Sequence, residues 1–107
     1  MNKIKLYKPI KIDGKEVKEL TADFDKLPCN ANVRATSFLA QNRYGINNPL
    51  NDIELHNLFF GIASGLMLED AFTLHIKDKM AAAMVSMTFF NTDSEDGSQK
   101  TTSEESK

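Results

Sequence analysis

Ile4-Lys5-Leu6-Tyr7-Lys8-Pro9-Ile10-Lys11-Ile12-Asp13-Gly14-Lys15-Glu16-Val17-Lys18-Glu19-Leu20 reads as a β-hairpin with a determined register. Ile4, Leu6, Ile10 and Ile12 fall on one face, and Lys3, Lys5, Tyr7 and Lys11 on the other, the alternation of a half-buried strand. Asp13-Gly14 is a preferred pair for a two-residue type I′ turn, since both central positions need positive φ. That turn sets Lys11 opposite Glu16, Ile10 opposite Val17 and Lys8 opposite Glu19, pairing apolar with apolar and cation with anion. A three-residue loop faces Ile12 with Glu16 and Ile10 with Lys18, which is worse on both counts. In the two-residue register Pro9 falls on a non-hydrogen-bonded pair, as expected of an edge strand. A lone hairpin is marginal in water, so its apolar face must pack on helices or on another copy of the chain.

The rest of the chain reads as helix followed by a polar end. Residues 22–27 suit one helical turn ended by Pro28. Asn30 or Asn32 is placed to cap a helix over 33–44, with Gly45 as its stop. Asn48-Pro49 reads as an N-cap with proline at the first helical position. From there Leu55, Leu58, Phe59, Ile62 and Leu66 recur at helical spacing, and Gly65 supplies a stop. A last helix from about Glu69 carries Phe72, Ile76, Met80, Met84 and Met87 along one side, with Glu69 and Asp70 in its dipole-favoured first turn. Gly61 and Gly65 have a Gly-x-x-x-Gly spacing that, outside a membrane, points to tight internal packing or a helix end. The expected architecture is α+β: one domain over 1–90, with a hairpin over 3–20 and about three helices within 31–90. Residues 91–107 contain no apolar side chain and are rich in Ser, Thr and carboxylates, so this tail is expected to be disordered.

Composition narrows the function classes. The net charge of −2 over 107 residues gives no general case for nucleic acid, although 3–18 leans basic and 93–105 acidic. Lys3, Lys5 and Lys11 share a face with Tyr7, yet Glu16 sits opposite Lys11, and an exposed strand face is normally charged for solubility. The lone Cys29 excludes an internal disulfide and suits a reducing compartment. Alternating lysines begin at once, unlike a signal peptide. The uncharged run 58–68 is far short of the roughly 20 residues of a membrane span. The expectation is therefore a cytoplasmic protein that binds neither membrane nor nucleic acid.

Catalytic chemistry is not evident. Cys29 with His56 or His75 is the one nucleophile–base combination, and neither an activating context nor an orienting third group accompanies it. His56 and His75 lie far apart with no partner at metal-ligand spacing, and no glycine loop suits a phosphate. Asp78, between Lys77 and Lys79, reads as part of a solvated helix face. Neither enzyme activity, metal nor cofactor is expected.

Two patches carry a resemblance. The first is Leu6-Tyr7-Lys8-Pro9-Ile10, then Asp13-Gly14, then Val17-Lys18-Glu19-Leu20; the second is Ser64-Gly65-Leu66, Ala71, Leu74, Asp78 and Phe89. In order and spacing they resemble the tail assembly chaperones of long-tailed bacteriophages. The resemblance covers the two ends of the folded region and leaves 28–57 unmatched. It implies a protein that binds the tape measure protein in the cytoplasm of the infected bacterium. There it keeps the client soluble while tail tube subunits polymerise, and it is absent from the mature virion. The tail tube protein is a second candidate partner, and the family has no catalytic residues to transfer. Two features depart from the pattern: Met67-Leu68 precede Glu69 where a small polar cap is usual, and the acidic tail has no counterpart. In that family Asp78 becomes a helix-packing position.

Holding a long helical client requires an adaptable apolar surface. Met67, Met80, Met84 and Met87 with Phe89 and Phe90 are suited to supply it, because methionine repacks around varied partners; Phe59 and Phe60 join them as candidate partner-binding residues. The competing reading is that this stripe fills the core, the usual fate of an apolar helix face. An exposed stripe also implies a homo-oligomer when the client is absent. The alternative function is a small structural or adaptor subunit that remains in the phage particle.

Overall fold

The computed structural model describes residues 2–91. It is an α+β domain: strands β1 (Asn2–Ile12) and β2 (Lys15–Ala22), a 3-10 turn at Phe24–Lys26, then helices α1 (Ala31–Gln41), α2 (Ile53–Ala63), α3 (Leu68–Phe72) and α4 (Ile76–Asn91). The expected tail lies outside the described residues from position 92 onward; Asn91 closes α4.

The hairpin turn is as the sequence requires. Asp13 and Gly14 both take positive φ (52° and 81°), and Ile12 pairs with Lys15, Lys11 with Glu16 and Ile10 with Val17. The pairing of Lys8 with Glu19 does not form. Between Ile10 and Lys5 the register shifts, so that Lys5 faces Glu19 and Ile4 faces Leu20. Leu6, Tyr7, Lys8 and Pro9 together oppose Lys18 alone, a wide bulge in β1. The apolar phase of β2 is the cause. Val17 and Leu20 are three apart and cannot share a face of a regular strand, and the bulge restores Ile4 and Leu6 to the side of Leu20 and Ala22. Pro9, which has no N–H, sits within the bulge.

α2 is the central helix, and every residue from Leu55 to Gly61 is buried. Phe60 joins Ile4, Leu6, Leu20, Ala22, Phe24, Leu74 and Ala82 in a core under the hairpin. Leu55, Leu58 and Phe59 pack with Ala31, Ala35, Leu39 and Ala71 in a second core under α1. A helix buried all round is hydrophobic all round, and its two polar exceptions are tied down. His56 Nε2 donates to the Pro49 carbonyl (2.8 Å), and Asn57 Nδ2 to the Ala71 carbonyl (2.8 Å).

α2 begins later than the Asn48-Pro49 signal. Asp52 is the cap, its carboxylate accepting from Leu55 N–H (2.9 Å), while Asn48 Oδ1 accepts from Leu50 N–H in a local turn. The helix ends in a Schellman motif: Gly65 has φ 84°, Leu66 N–H reaches the Gly61 carbonyl (2.9 Å), and Gly65 N–H the Ile62 carbonyl (3.1 Å). Gly61 is there for closeness, since a Cβ on it would lie 2.6 Å from Ala71 Cβ. The two glycines thus serve helix packing and a helix end. Likewise Asn30 occupies the N-cap position of α1, and that helix stops at Asn42, before Gly45.

The expected single last helix is two. Thr73 turns its hydroxyl back onto the Glu69 and Asp70 carbonyls (3.1 and 3.2 Å), closing α3, and His75 Nδ1 accepts from Lys77 N–H (3.1 Å), opening α4. Phe72 leaves the methionine stripe and packs edge-on against Phe38 (5.4 Å).

Tyr44 carries a pH signature. Its hydroxyl donates to Asp52 Oδ2 (3.1 Å), and burial first, then this hydrogen bond and the charges of Asp52 and Glu54, raise its pKa above the ordinary 10.0. Ionisation is thus harder in the folded chain, so this contribution is intact below about pH 10 and is lost as pH rises through the folded value. In alkaline urea titrations Tyr44→Phe should lose stability less steeply than the wild type; equal slopes above pH 10 would refute the assignment.

Candidate functional site

The composition of the inward face of α4 explains its outward one. Asp78, Ala82, Ala83 and Ser86 are its buried residues, all small or short. Asp78 is 2% exposed rather than solvated. Its Oδ1 accepts from Tyr7 N–H (2.7 Å) and its Oδ2 from Lys8 N–H (3.1 Å), satisfying the β1 bulge from the first turn of α4. Ala82 enters the core under the hairpin. Ser86 Oγ lies 3.1 Å from His56 Nδ1; because Nε2–H is committed to the Pro49 carbonyl, the serine hydroxyl is the donor. Ser86 has no exposed surface, so the pair fastens α4 to α2. Lys79 adds an ion pair to Glu54 (3.0 Å).

Small residues inward leave the large ones outward. Ile76, Met80 and Met84, one helical turn apart, are 65%, 48% and 62% exposed, and Met87 is half-buried beside them. Lys77, Ala81 and Thr88 border the same face, which carries no charge beyond Lys77. Large apolar side chains without a neighbour of their own are the informative exception on a small domain.

The C-terminal end of α4 folds its aromatics back. Phe89 stacks on Phe24 (4.8 Å, 16°), and Phe90 lies against Phe59 (5.1 Å) and His56 (5.7 Å). Both keep over two-fifths of their surface exposed. Phe59 and Phe90 help line a shallow groove of about 290 Å³ with Leu27, Pro28, Cys29 and Ala31.

Of the candidate partner-binding residues, Met80, Met84, Phe89 and Phe90 are therefore exposed and Met87 partly so. Phe60 is not available: it is fully buried in the core under the hairpin, and Phe59 is 8% exposed. The helical periodicity of α2 marks both as apolar, but only its packing on two sides shows that no face of it remains free. Ile76 and the groove were missed. Ile76 has the spacing of the methionines, whereas the groove unites 27–31 with Phe59 and Phe90, which nothing local in sequence joins.

The remaining chemistry-bearing side chains are scattered. Cys29 is exposed on the loop before α1. His75 caps α4 and packs on Tyr7 (4.9 Å), over which Lys77 Nζ sits at 4.3 Å. Among the described residues no three His, Cys, Asp or Glu side chains gather as metal ligands, and no helix is long and apolar enough to cross a membrane. No family model, curated protein or solved structure matches the chain.

Proposed function

We propose that this chain is a tail assembly chaperone of a long-tailed bacteriophage, binding the tape measure protein in the cytoplasm of the infected bacterium and keeping it soluble during tail tube assembly. The observation that supports the reading is the inverted α4, with alanine, serine and aspartate inward and an aligned Ile76–Met80–Met84 row outward. A helical client with an apolar stripe fits such a face as helix against helix, and flexible methionines accommodate sequence variation along a long client. The motif residues add support, since Gly65, Ala71, Leu74, Asp78 and Phe89 each hold the arrangement that presents this face.

The test is co-expression with the tape measure protein of the same phage, followed by fractionation and pull-down. The client should turn soluble and co-purify. Met84→Asp should reduce capture at least about tenfold, the equivalent of 1.4 kcal/mol, while leaving the urea midpoint within experimental error, because Met84 contributes little to the core. A client that stays insoluble beside the wild-type chain defeats the reading. Abundance of this chain in purified particles would instead establish the structural-subunit alternative.

A further inference from the structure

We infer that in the absence of a partner the exposed face of α4 is covered by the same face of a second copy, as a closed antiparallel pair. This inference rests on the surface itself and not on the identity of a client.

Area makes a pair feasible. At roughly 200 Å² for a fully exposed side chain of this bulk, the exposures of Ile76, Met80 and Met84 leave on the order of 350 Å² of apolar surface. With Met87, Ala81 and Thr88 beside them, two copies approach the roughly 1,000 Å² total at which an interface becomes specific. Ala81 on the border of the face lets a second helix lie close, and the 4–3 spacing of Met80, Met84 and Met87 is that of a helix–helix seam.

Charge decides the direction. The N-terminal end of the face is basic, with exposed Lys77 and, on the bulge that Asp78 holds beside it, exposed Lys8. The chain leaves the other end at Asn91 into a segment with Asp93, Glu95, Asp96, Glu104 and Glu105 against Lys100 and Lys107. A parallel pair sets like charge against like at both ends. An antiparallel pair sets the carboxylates that follow Asn91 of one copy toward Lys8 and Lys77 of the other, twice over by the two-fold axis. The axis then passes near Met84, with Met80 of one copy facing Met87 of its partner.

Sedimentation velocity of the full chain across the micromolar range should show a monomer–dimer equilibrium that weakens several-fold as salt rises. Met84→Asp should weaken it at least tenfold, as should truncation after Asn91 combined with Lys77→Glu. Direction is read by disulfide formation in a Cys29→Ser background. Chains carrying Met80→Cys mixed with chains carrying Met87→Cys should cross-link to each other. Met80→Cys alone should not, because its two copies lie about 12 Å apart along the axis at 1.5 Å per residue. These positions are exposed or half-buried on the surface, so the variants retain the fold, which circular dichroism checks. A strict monomer, an open series of larger oligomers, or self-cross-linking of Met80→Cys would each overturn the inference.

Discussion

Phe60→Ala should destabilise the domain by about 4 kcal/mol, within the range for truncating a fully buried phenylalanine. Phe60 has no exposed surface, meets Phe24 edge-on at 6.0 Å, and is the residue through which α2 enters the core under the hairpin. The loss combines the transfer of the ring with a cavity that Ile4, Leu6, Leu20 and Leu74 cannot collapse to fill, because they are held by a strand ladder and a helix junction. A domain of this size has a total stability on the order of 5–15 kcal/mol, so the variant keeps at most a modest margin. Its melting temperature should fall by roughly 20 °C. Urea unfolding with an unchanged m-value measures the difference directly. Met84→Ala provides the contrast: an exposed position should move stability by no more than about 0.5 kcal/mol. If Phe60→Ala behaved like Met84→Ala, Phe60 would belong to the partner surface where the sequence periodicity placed it, and the packing of α2 described above would be wrong.

That contrast shows how far the chain can be read from its residues. The hairpin turn was legible because its determinants are adjacent: Asp13-Gly14 takes the positive φ pair, and Lys11–Glu16 and Ile10–Val17 follow within a few residues. The far half of the hairpin was not, because the bulge is held by Asp78, 70 and 71 positions away. One local signal existed, the three-residue separation of Val17 and Leu20, which breaks the strand phase. The start of α2 was misplaced because Asn48-Pro49 and Asp52 are both credible caps. Asp52 prevails because it also receives the Tyr44 hydroxyl, and because the Pro49 carbonyl is needed by His56. The break between α3 and α4 left little trace, since Thr73 and His75 interrupt a helix by local side-chain hydrogen bonds rather than by glycine or proline.

The candidate site was half legible for a similar reason. Met80, Met84 and Met87 mark an apolar stripe on α4, and periodicity alone says that such a stripe faces the core. Asp78, Ala82 and Ser86 repeat at the same four-residue interval, so α4 has two stripes, one large and one small. The small one is buried because α4 must lie close to α2 and to the bulge, where Gly61, Ala71 and Ala82 leave room for backbones and not for thioethers. The motif patches point the same way. Leu6, Leu20, Gly65, Ala71, Leu74 and Asp78 are core, turn or strap residues, so the recurring pattern specifies the scaffold and leaves the exposed row free to vary with its partner.

Asp78→Ala should cost about 3 kcal/mol, nearly as much as the loss of Phe60, although Asp78 is a single short charged residue. Its two carboxylate oxygens accept from consecutive N–H groups of the bulge, at 2.7 and 3.1 Å, in a site the solvent scarcely reaches. Hydrogen bonds to a charged acceptor contribute about 1.5–3 kcal/mol each. The sum is an upper limit because Tyr7 and Lys8 side chains are exposed and water can reach part of the vacated space. A smaller loss comes from removing a negative charge in the first turn of α4. Asp78→Asn should cost about 2 kcal/mol, since the amide keeps one acceptor but turns an NH₂ group toward the other donor. The strand should not relax into the regular register that places Lys8 opposite Glu19. That register sets Ile4 against Asp23 and Leu6 against Thr21 and removes both from the core under the hairpin, a larger loss than the carboxylate supplied. Amide exchange should therefore accelerate at Tyr7 and Lys8 in Asp78→Ala, while Ile4 and Leu20 remain cross-strand neighbours by nuclear Overhauser contacts. A variant in which Lys8 and Glu19 become neighbours would mean that Asp78 creates the bulge rather than stabilising one the apolar phase already demands.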